Sequence, residues 1–484
     1  VADRGIGLAA AAPAGEAAAE TVIRRAIPAL AGMATTAPIE GRATRFGAAY
    51  SDAPYGSFPP HSLSPFRSRR QRCKAARVNR PGVSEARRAG GRLARVIAPL
   101  FHRILDRIDA GLAAGAIEAT LPDGTRRLLG GRVEGPVAIV AIHRWRALRR
   151  LVLAGSIGWY EGWAAGDWSS PDPVPLFDLF MRNRVTLGEV ARAKSGIRLA
   201  GRLLHGLRRN DRAGARRNIA AHYDLGNDFY AEWLDPTLTY SSAIFAPGDT
   251  LEQAQRRKLA AILSRTGIGP GDKLLEIGCG WGSFALAAAE AGASVHAITL
   301  SAEQKAVVER RAAGLPVTVT LTDYRDVTGS YDAVASIEMV EAVGQAYWPD
   351  YLAAIARALK PGGRAAIQLI SIADDIWDGY ARNVDFIQRY IFPGGLLLSE
   401  TRFRALAESA GLAWRDRSGF GLDYAETLRL WRERFDAAVA EKRLPARFDQ
   451  KFIDLWRYYL MYCEGGFRGG GIDVAQVTLI RQSI

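Results

Sequence analysis

Lys273-Leu-Leu-Glu-Ile-Gly-Cys-Gly-Trp-Gly-Ser283 decides the fold class. Its apolar start reads as a β-strand. Glu276 falls near the strand's end, three glycines follow at alternate positions (Gly278, Gly280, Gly282), and an Ala-rich helix comes directly after. Glycine has no Cβ and tolerates positive φ, so such a turn lets backbone approach a ligand closely. Open α/β sheets bind nucleotide-like cofactors in a loop of this kind, at the carboxyl end of a first parallel strand. The glycines alone do not say which cofactor, because dinucleotides and phosphates use similar turns.

Downstream of His222, strand and helix patterns alternate. Strands are predicted at Lys273 to Ile277, Ser294 to Ile298, Val317 to Leu321, Tyr331 to Ser336, Gly363 to Ile370, Leu412 to Ser418 and Val474 to Ile480. Helices are predicted at Ser283 to Ala291, Ala302 to Ala313, Trp348 to Leu359, Ser399 to Ala410 and Phe448 to Cys463. Repeated βα units argue for an α/β domain with a parallel, doubly wound sheet. Val474 to Ile480, after a long insertion, suits a late antiparallel strand. With this pattern, the acidic Glu276 favours S-adenosylmethionine (SAM) over NAD.

Upstream, a helix at Ala94 to Leu112 precedes short strands at Ile117 to Leu121, Arg126 to Leu129 and Val137 to Ile142. A helix at Trp145 to Leu153, an aromatic and glycine loop at Gly158 to Trp168, and a helix at Val174 to Arg182 complete a small α+β unit. The domain reading is therefore four segments. Residues 1–91, rich in Ala, Gly, Pro, Ser and Arg, are disordered or a non-native extension; 92–185 form the small α+β domain; 186–221 form a basic linker helix; 222–484 form the catalytic domain. In the linker, Val190, Ala193, Ile197, Ala200, Leu204 and Leu207 recur at steps of three and four, opposite Arg192, Arg198, Arg202 and Arg209. This face either docks on anionic lipid or is the solvated side of a packed helix.

At 484 residues the chain is too long for one ordinary domain. A net charge of +14 implies an anionic partner, either nucleic acid or acidic phospholipid. No apolar run approaches the roughly 20 residues that span a bilayer, and the N-terminal Ala-rich stretch makes a poor signal peptide, so a cytoplasmic protein is expected. Three scattered cysteines (Cys73, Cys279, Cys463) give neither a disulfide framework nor a metal cluster. The cations cluster outside the catalytic half and there is no Asn/Asp-Pro-Pro-aromatic motif, which argues against nucleic acid.

From His222 onward the chain resembles the cyclopropane fatty acid synthase family, whose members are SAM-dependent class I methyltransferases that modify double bonds in acyl chains. The resemblance rests on His222-Tyr-Asp-Leu-Gly-Asn-Asp-Phe-Tyr230, Thr239-Tyr-Ser-Ser-Ala243, the Glu276 to Gly282 turn, Thr299-Leu-Ser-Ala-Glu-Gln304, Asp323-Tyr-Arg-Asp326, Ile391-Phe-Pro-Gly-Gly395 and Tyr458 to Phe467. The Gly155 to Trp168 stretch looks like the small N-terminal domain of longer members.

The resemblance implies a Rossmann-like, seven-stranded, mostly parallel sheet behind a smaller lipid-handling α+β domain. It implies SAM held by Tyr240, Ser241, Glu276, Gly278, Gly280, Gly282, Thr299, Gln304, Tyr324 and Arg325. It further implies a bound bicarbonate as proton acceptor, oriented by Glu341, with Tyr424 as phenol ligand and Ile370 contributing backbone. Ser242 stands where a cysteine is usual, Gln368 where a histidine is usual, and Ala342 replaces the histidine after the glutamate. These departures leave cyclopropane, methylene-branched and methyl-branched products open. Cys463 matches the position labelled catalytic in the family; a wall of the acyl channel is favoured over a covalent nucleophile, since methyl transfer needs no covalent enzyme intermediate. Glu338 falls beside this site, at a strand end where it is expected to face SAM or solvent. The implied partner is an anionic phospholipid surface with unsaturated acyl chains, met peripherally at the inner membrane face, and a homodimer is compatible with the sequence.

Overall fold

Two sheets organise the chain in the computed structural model, which describes residues 92–188 and 225–483. The expectations for residues 1–91 and for the basic segment Val190 to Leu207, and the start of the His222 to Tyr230 motif, lie outside the described residues.

The smaller sheet comprises β1 (Ala116–Thr120), β2 (Arg126–Gly130), β3 (Val137–Ile142) and β4 (Trp168–Ser169), in the order β2-β1-β3-β4. Asp123 accepts the Thr125 amide (2.9 Å) in the turn that joins β1 to β2. Burial alternates along β3, so one face packs and the other meets solvent. The expected loop at Gly158 to Trp168 is largely helix. One helix runs Arg146–Ala164 through a non-helical Gly155 (φ 58°), and only the end of the stretch, Trp168, reaches β4. Its glycines serve close packing. A Cβ on Gly158 would lie 2.1 Å from the Arg150 carbonyl oxygen, and one on Gly162 would lie 3.2 Å from the Trp168 ring, which stacks on Trp159 at 4.3 Å.

The larger sheet holds β5 (Lys273–Ile277), β6 (Ser294–Thr299), β7 (Val317–Leu321), β8 (Tyr331–Ile337), β9 (Leu359–Ile372), β10 (Leu412–Gly419) and β11 (Ile472–Arg481). Their order is β10-β11-β9-β8-β5-β6-β7, with β11 antiparallel to both neighbours and the remaining pairs parallel. This is the class I methyltransferase sheet.

Two long helices have no counterpart in the sequence reading. Leu251–Thr266 begins at a capping box between Thr250 and Gln253, but its inward face carries the fully buried Gln255 and Lys258, which interrupt the apolar stripe. Gly421–Ala440 does carry a helical stripe in Tyr424, Leu428, Trp431, Phe435 and Ala438, all buried, and has no side-chain cap to announce its start. The last helix, Gln450–Arg468, outruns its predicted end because Gly465 and Gly469 let it lie against the helix Val174–Arg182. A Cβ on Gly465 would sit 2.4 Å from Phe177 Cβ, and one on Gly469 would sit 2.6 Å from Met181 Cβ. Rings from both sheets' helices join there: Tyr458 meets Tyr160 (5.0 Å), Trp163 (5.2 Å), Phe177 (5.3 Å) and Phe386 (4.9 Å).

Candidate active site

β5 and β8 are parallel neighbours, with Glu276 opposite Ala335, so the residues that follow each strand emerge side by side. Gly278 has φ 82°, and a Cβ there would lie 2.7 Å from Met339 Cγ. The turn thus abuts the segment after β8, and glycine is required for that approach. Gly280 (φ 52°) has nothing within 4 Å of a hypothetical Cβ, which leaves its side of the turn open. Gly282 (φ 87°) starts the helix Ser283–Glu290 against Val308.

At the end of β6, Thr299 Oγ1 donates to Gln304 Oε1 (2.9 Å), and Ser301 caps the helix that carries Gln304. Gln304 Nε2 is buried without a hydrogen-bond partner. An unsatisfied buried amide donor is costly unless something completes it, and a ribose hydroxyl or neighbouring group of SAM would do so. Tyr324 is buried with its edge toward Tyr351 (5.5 Å), and Arg325 donates to its hydroxyl (3.1 Å) while lying over the Tyr324 and Tyr347 rings. Tyr240 pairs through its hydroxyl with Tyr459 (2.9 Å). Ser241 Oγ accepts from Lys258 Nζ (2.7 Å), and its carbonyl accepts from Gln255 (2.8 Å). Glu276 is buried near Lys258, and desolvation pushes its carboxyl up to about 8 against that cation and the Ala285 amide. Glycine backbone, an open side at Gly280 and the orphaned Gln304 amide suit SAM, and these residues would hold it.

Two half-buried glutamates, Glu338 and Glu341, lie on either side of Met339 with their carboxyls turned inward. Glu338 Oε1 accepts the Ser242 amide (2.9 Å) and Gln368 Nε2 (2.7 Å), and Oε2 accepts the Tyr424 hydroxyl (2.8 Å). Glu341 Oε1 accepts the Ile370 amide (2.5 Å), and its Oε2 has no partner. Burial raises both carboxyls, Glu341 to about 8, and the Glu338 charge adds to the rise at Glu341. Aromatic rings surround them. Tyr424 packs on Phe467 (4.5 Å) and Trp431 (6.1 Å), Tyr240 on Trp431 (5.3 Å), and Phe392 on Tyr459 (6.1 Å).

Residues 210–477 match the family model described as mycolic acid cyclopropane synthetase. The chain belongs to this family. It is 39% identical over 427 residues to tuberculostearic acid methyltransferase UfaA1 of Mycobacterium tuberculosis, covering 83% of this chain and 95% of that protein. It is 36% identical over 338 residues to cyclopropane-fatty-acyl-phospholipid synthase of Escherichia coli K12, covering 69% of this chain and 85% of that one. Among solved structures, mycolic acid cyclopropane synthase CmaA1 complexed with SAH and CTAB aligns over 55% of this chain and 98% of its own, with 30% identity and a TM-score of 0.52. As a member of the cyclopropane synthetase family the protein is a SAM-dependent methyltransferase, of a kind that acts on lipids.

The bicarbonate that the resemblance implied does not fit this arrangement. The groups expected to bind it, Tyr424, Gln368 and the Ile370 backbone, are engaged by the protein's own carboxylates, and the Ser242 hydroxyl donates to the Ala243 carbonyl (3.0 Å). A further anion would sit between two buried carboxyls with no donor left among these groups. Beyond the expected place beside the site, Glu338 is the hub on which Ser242, Gln368 and Tyr424 converge. Lys258 and Gln476 were also missed. Their spacing is unremarkable in the sequence, and only burial reveals them; a capping-box Thr250-x-x-Gln253 could have disclosed the helix that carries Lys258. Cys463 lies on the last helix, where desolvation and nearby Asp385 push its thiol far above the ordinary value, so it is not a thiolate.

Proposed function

We propose that this chain transfers the methyl group of SAM to a double bond in an unsaturated acyl chain of a membrane phospholipid, and that proton loss from the resulting cation closes a cyclopropane ring. The observation that carries this reading is the pair of buried carboxyls, Glu338 and Glu341, set among aromatic rings beside the glycine turn.

SAM supplies an electrophilic methyl group. An alkene is a weak nucleophile, so the protein has to stabilise positive charge on the acyl chain, and the ring faces of Tyr240, Tyr424, Trp431 and Tyr459 offer their quadrupoles for it. Burial of these rings keeps out water that would capture the cation. A carboxyl group nearby can accept the proton that must leave. Acceptors with a nitrogen or oxygen lone pair form no carbocation and would not need the first two provisions.

The small domain extends the apolar wall through Tyr160, Trp163 and Phe177, in keeping with a lipid-handling role. Among the described residues no helix is long and apolar enough to cross a membrane. A net charge of +14 supports peripheral docking on anionic phospholipid.

A second reading, a methylene- or methyl-branched product, is favoured by Ser242, Gln368 and Ala342 at positions where the bacterial synthases usually differ, and by the 39% identity to a tuberculostearic acid methyltransferase. Incubation with SAM and vesicles of unsaturated phospholipid, followed by mass spectrometry of the fatty acids, tests the reaction. A gain of one carbon and two hydrogens is expected, with NMR separating ring from methylene isomers. An unchanged acyl mass, with methyl found on a headgroup, would sink the reading.

A further inference from the structure

We infer that Glu338 is the base of the reaction: its carboxylate takes the proton from the transferred methyl carbon, a role that needs no bound exogenous anion. The inference rests on the acyl-methylation reading and deepens it.

Three donors from three separate elements hold this carboxylate: the Ser242 amide, Gln368 on β9 and Tyr424 on the helix Gly421–Ala440. An ionised carboxylate offers about four lone-pair positions, so these bonds fix its orientation and leave room to receive one proton. The direction of the Gln368 amide is itself imposed. Arg265 can only donate, and its Nε bonds Gln476 Oε1 at 3.1 Å, so Gln476 Nε2 is turned to Gln368 Oε1 (3.1 Å) and Gln368 Nε2 is turned to Glu338. A histidine in place of Gln368 would not extend this relay in the same way.

The backbone agrees. Glu338 has φ 50°, one of four non-glycine residues with positive φ among the described residues. Such a conformation persists only where its surroundings over-determine it, and it concentrates at functional sites. The next residue, Met339, is the one that Gly278 approaches, which sets Glu338 at the cofactor turn. Glu341 is the poorer candidate: one oxygen is spent on the Ile370 amide and a single donor supports its charge, whereas Glu338 has three donors and the buried Lys258 ammonium to favour ionisation.

The step balances. The methyl C–H electron pair forms the ring-closing C–C bond to the cationic carbon, the proton passes to a Glu338 oxygen, and the cation and carboxylate become a neutral cyclopropane and a neutral carboxylic acid. Water takes the proton back when product leaves.

The test compares wild type, Glu338→Gln and Glu338→Gly in buffer stripped of carbon dioxide, with and without added bicarbonate or acetate. Wild-type turnover should be indifferent to bicarbonate. Glu338→Gln should bind SAM as wild type does yet turn over about 100-fold or more slowly, the usual worth of a positioned base. Glu338→Gly frees the donors and the space, and should regain turnover as acetate or bicarbonate is added. A purely structural glutamate would not be replaced by a soluble base. Loss of wild-type activity on removing bicarbonate, full activity of Glu338→Gln, or no rescue in a Glu338→Gly protein that still binds SAM would each overturn the inference. If wild type binds SAM but never alkylates an acyl chain, the functional reading itself has failed, and that outcome is distinct.

Discussion

Lys258, wholly buried, donates from Nζ to Ser241 Oγ at 2.7 Å, and so ties the helix Leu251–Thr266 to the segment expected to close over SAM. Desolvation pushes its ammonium down to about 8, against the stabilising charges of Glu338, Asp235 and Glu276. Lys258→Met should cost about 3 kcal/mol of stability, because removing one partner strands buried carboxyls, and should weaken SAM binding. Denaturant titration and calorimetry check both. Unchanged SAM affinity in the folded variant would detach Lys258 from the cofactor site.

Glu341 carries a pH signature in stability. Its folded value of about 8 lies above the ordinary 4.5, so between those limits the folded protein keeps a proton that the unfolded chain has released. Its contribution is complete below about pH 4.5 and is lost as pH rises toward 8. Thermal unfolding measured from pH 5 to 8 should show a declining midpoint, flattened in Glu341→Gln. Parallel curves for the two proteins would show that Glu341 titrates normally.

Tyr424→Phe removes the hydroxyl donated to Glu338 Oε2 and nothing else from that pocket. Loss of a donor to the charged form raises the base's pKa, so the rising limb of the rate profile should move to higher pH while SAM affinity holds. The other groups bearing on Glu338 are Lys258 and the Ser242 and Gln368 donors; none is altered. At neutral pH, turnover should fall by about 10-fold or more, the equivalent of one charge-assisted hydrogen bond. A profile identical to wild type would remove Tyr424 from the base's surroundings.

Gly465 sets the distance between the small domain and the acyl wall. Because a Cβ there would stand 2.4 Å from Phe177 Cβ and 2.8 Å from the Val174 carbonyl oxygen, Gly465→Ala has to push the two helices apart. A loss of about 1–3 kcal/mol is expected from overpacking, read by chemical denaturation. An unperturbed midpoint would mean that this contact is softer than its geometry.

Cys463→Ala should keep turnover within about 10-fold of wild type, a difference of only ~1.4 kcal/mol in barrier. Its thiol is protonated and sits beside aromatic rings of the last helix, as part of a wall. Abolished activity with intact SAM binding would restore a chemical role.

Local signals were legible where one short stretch contained the whole device. The strand, glycine turn and helix from Lys273 to Ser283, the alternating strands after them and the antiparallel β11 all follow from hydrophobic period and turn chemistry, and all appear in the fold. Gly158 and Gly162 show the limit. Glycines in an aromatic run read as a loop until the facing backbone and ring that they accommodate are known.

The amino-acid order alone determined the sheet and the glycine turn, because each depends on neighbours within a few residues, and its motifs carried the resemblance that implied the cofactor and the candidate site residues. Only the tertiary structure decided what those side chains do. Ser242, Glu338, Gln368, Tyr424 and Gln476 meet because β8, β9 and β11 lie next to one another in the sheet, and a carboxylate's role follows from which donors reach it and how much water is excluded. Spacing along the chain carries neither quantity, and so Glu338 looked incidental in the sequence and central in the fold.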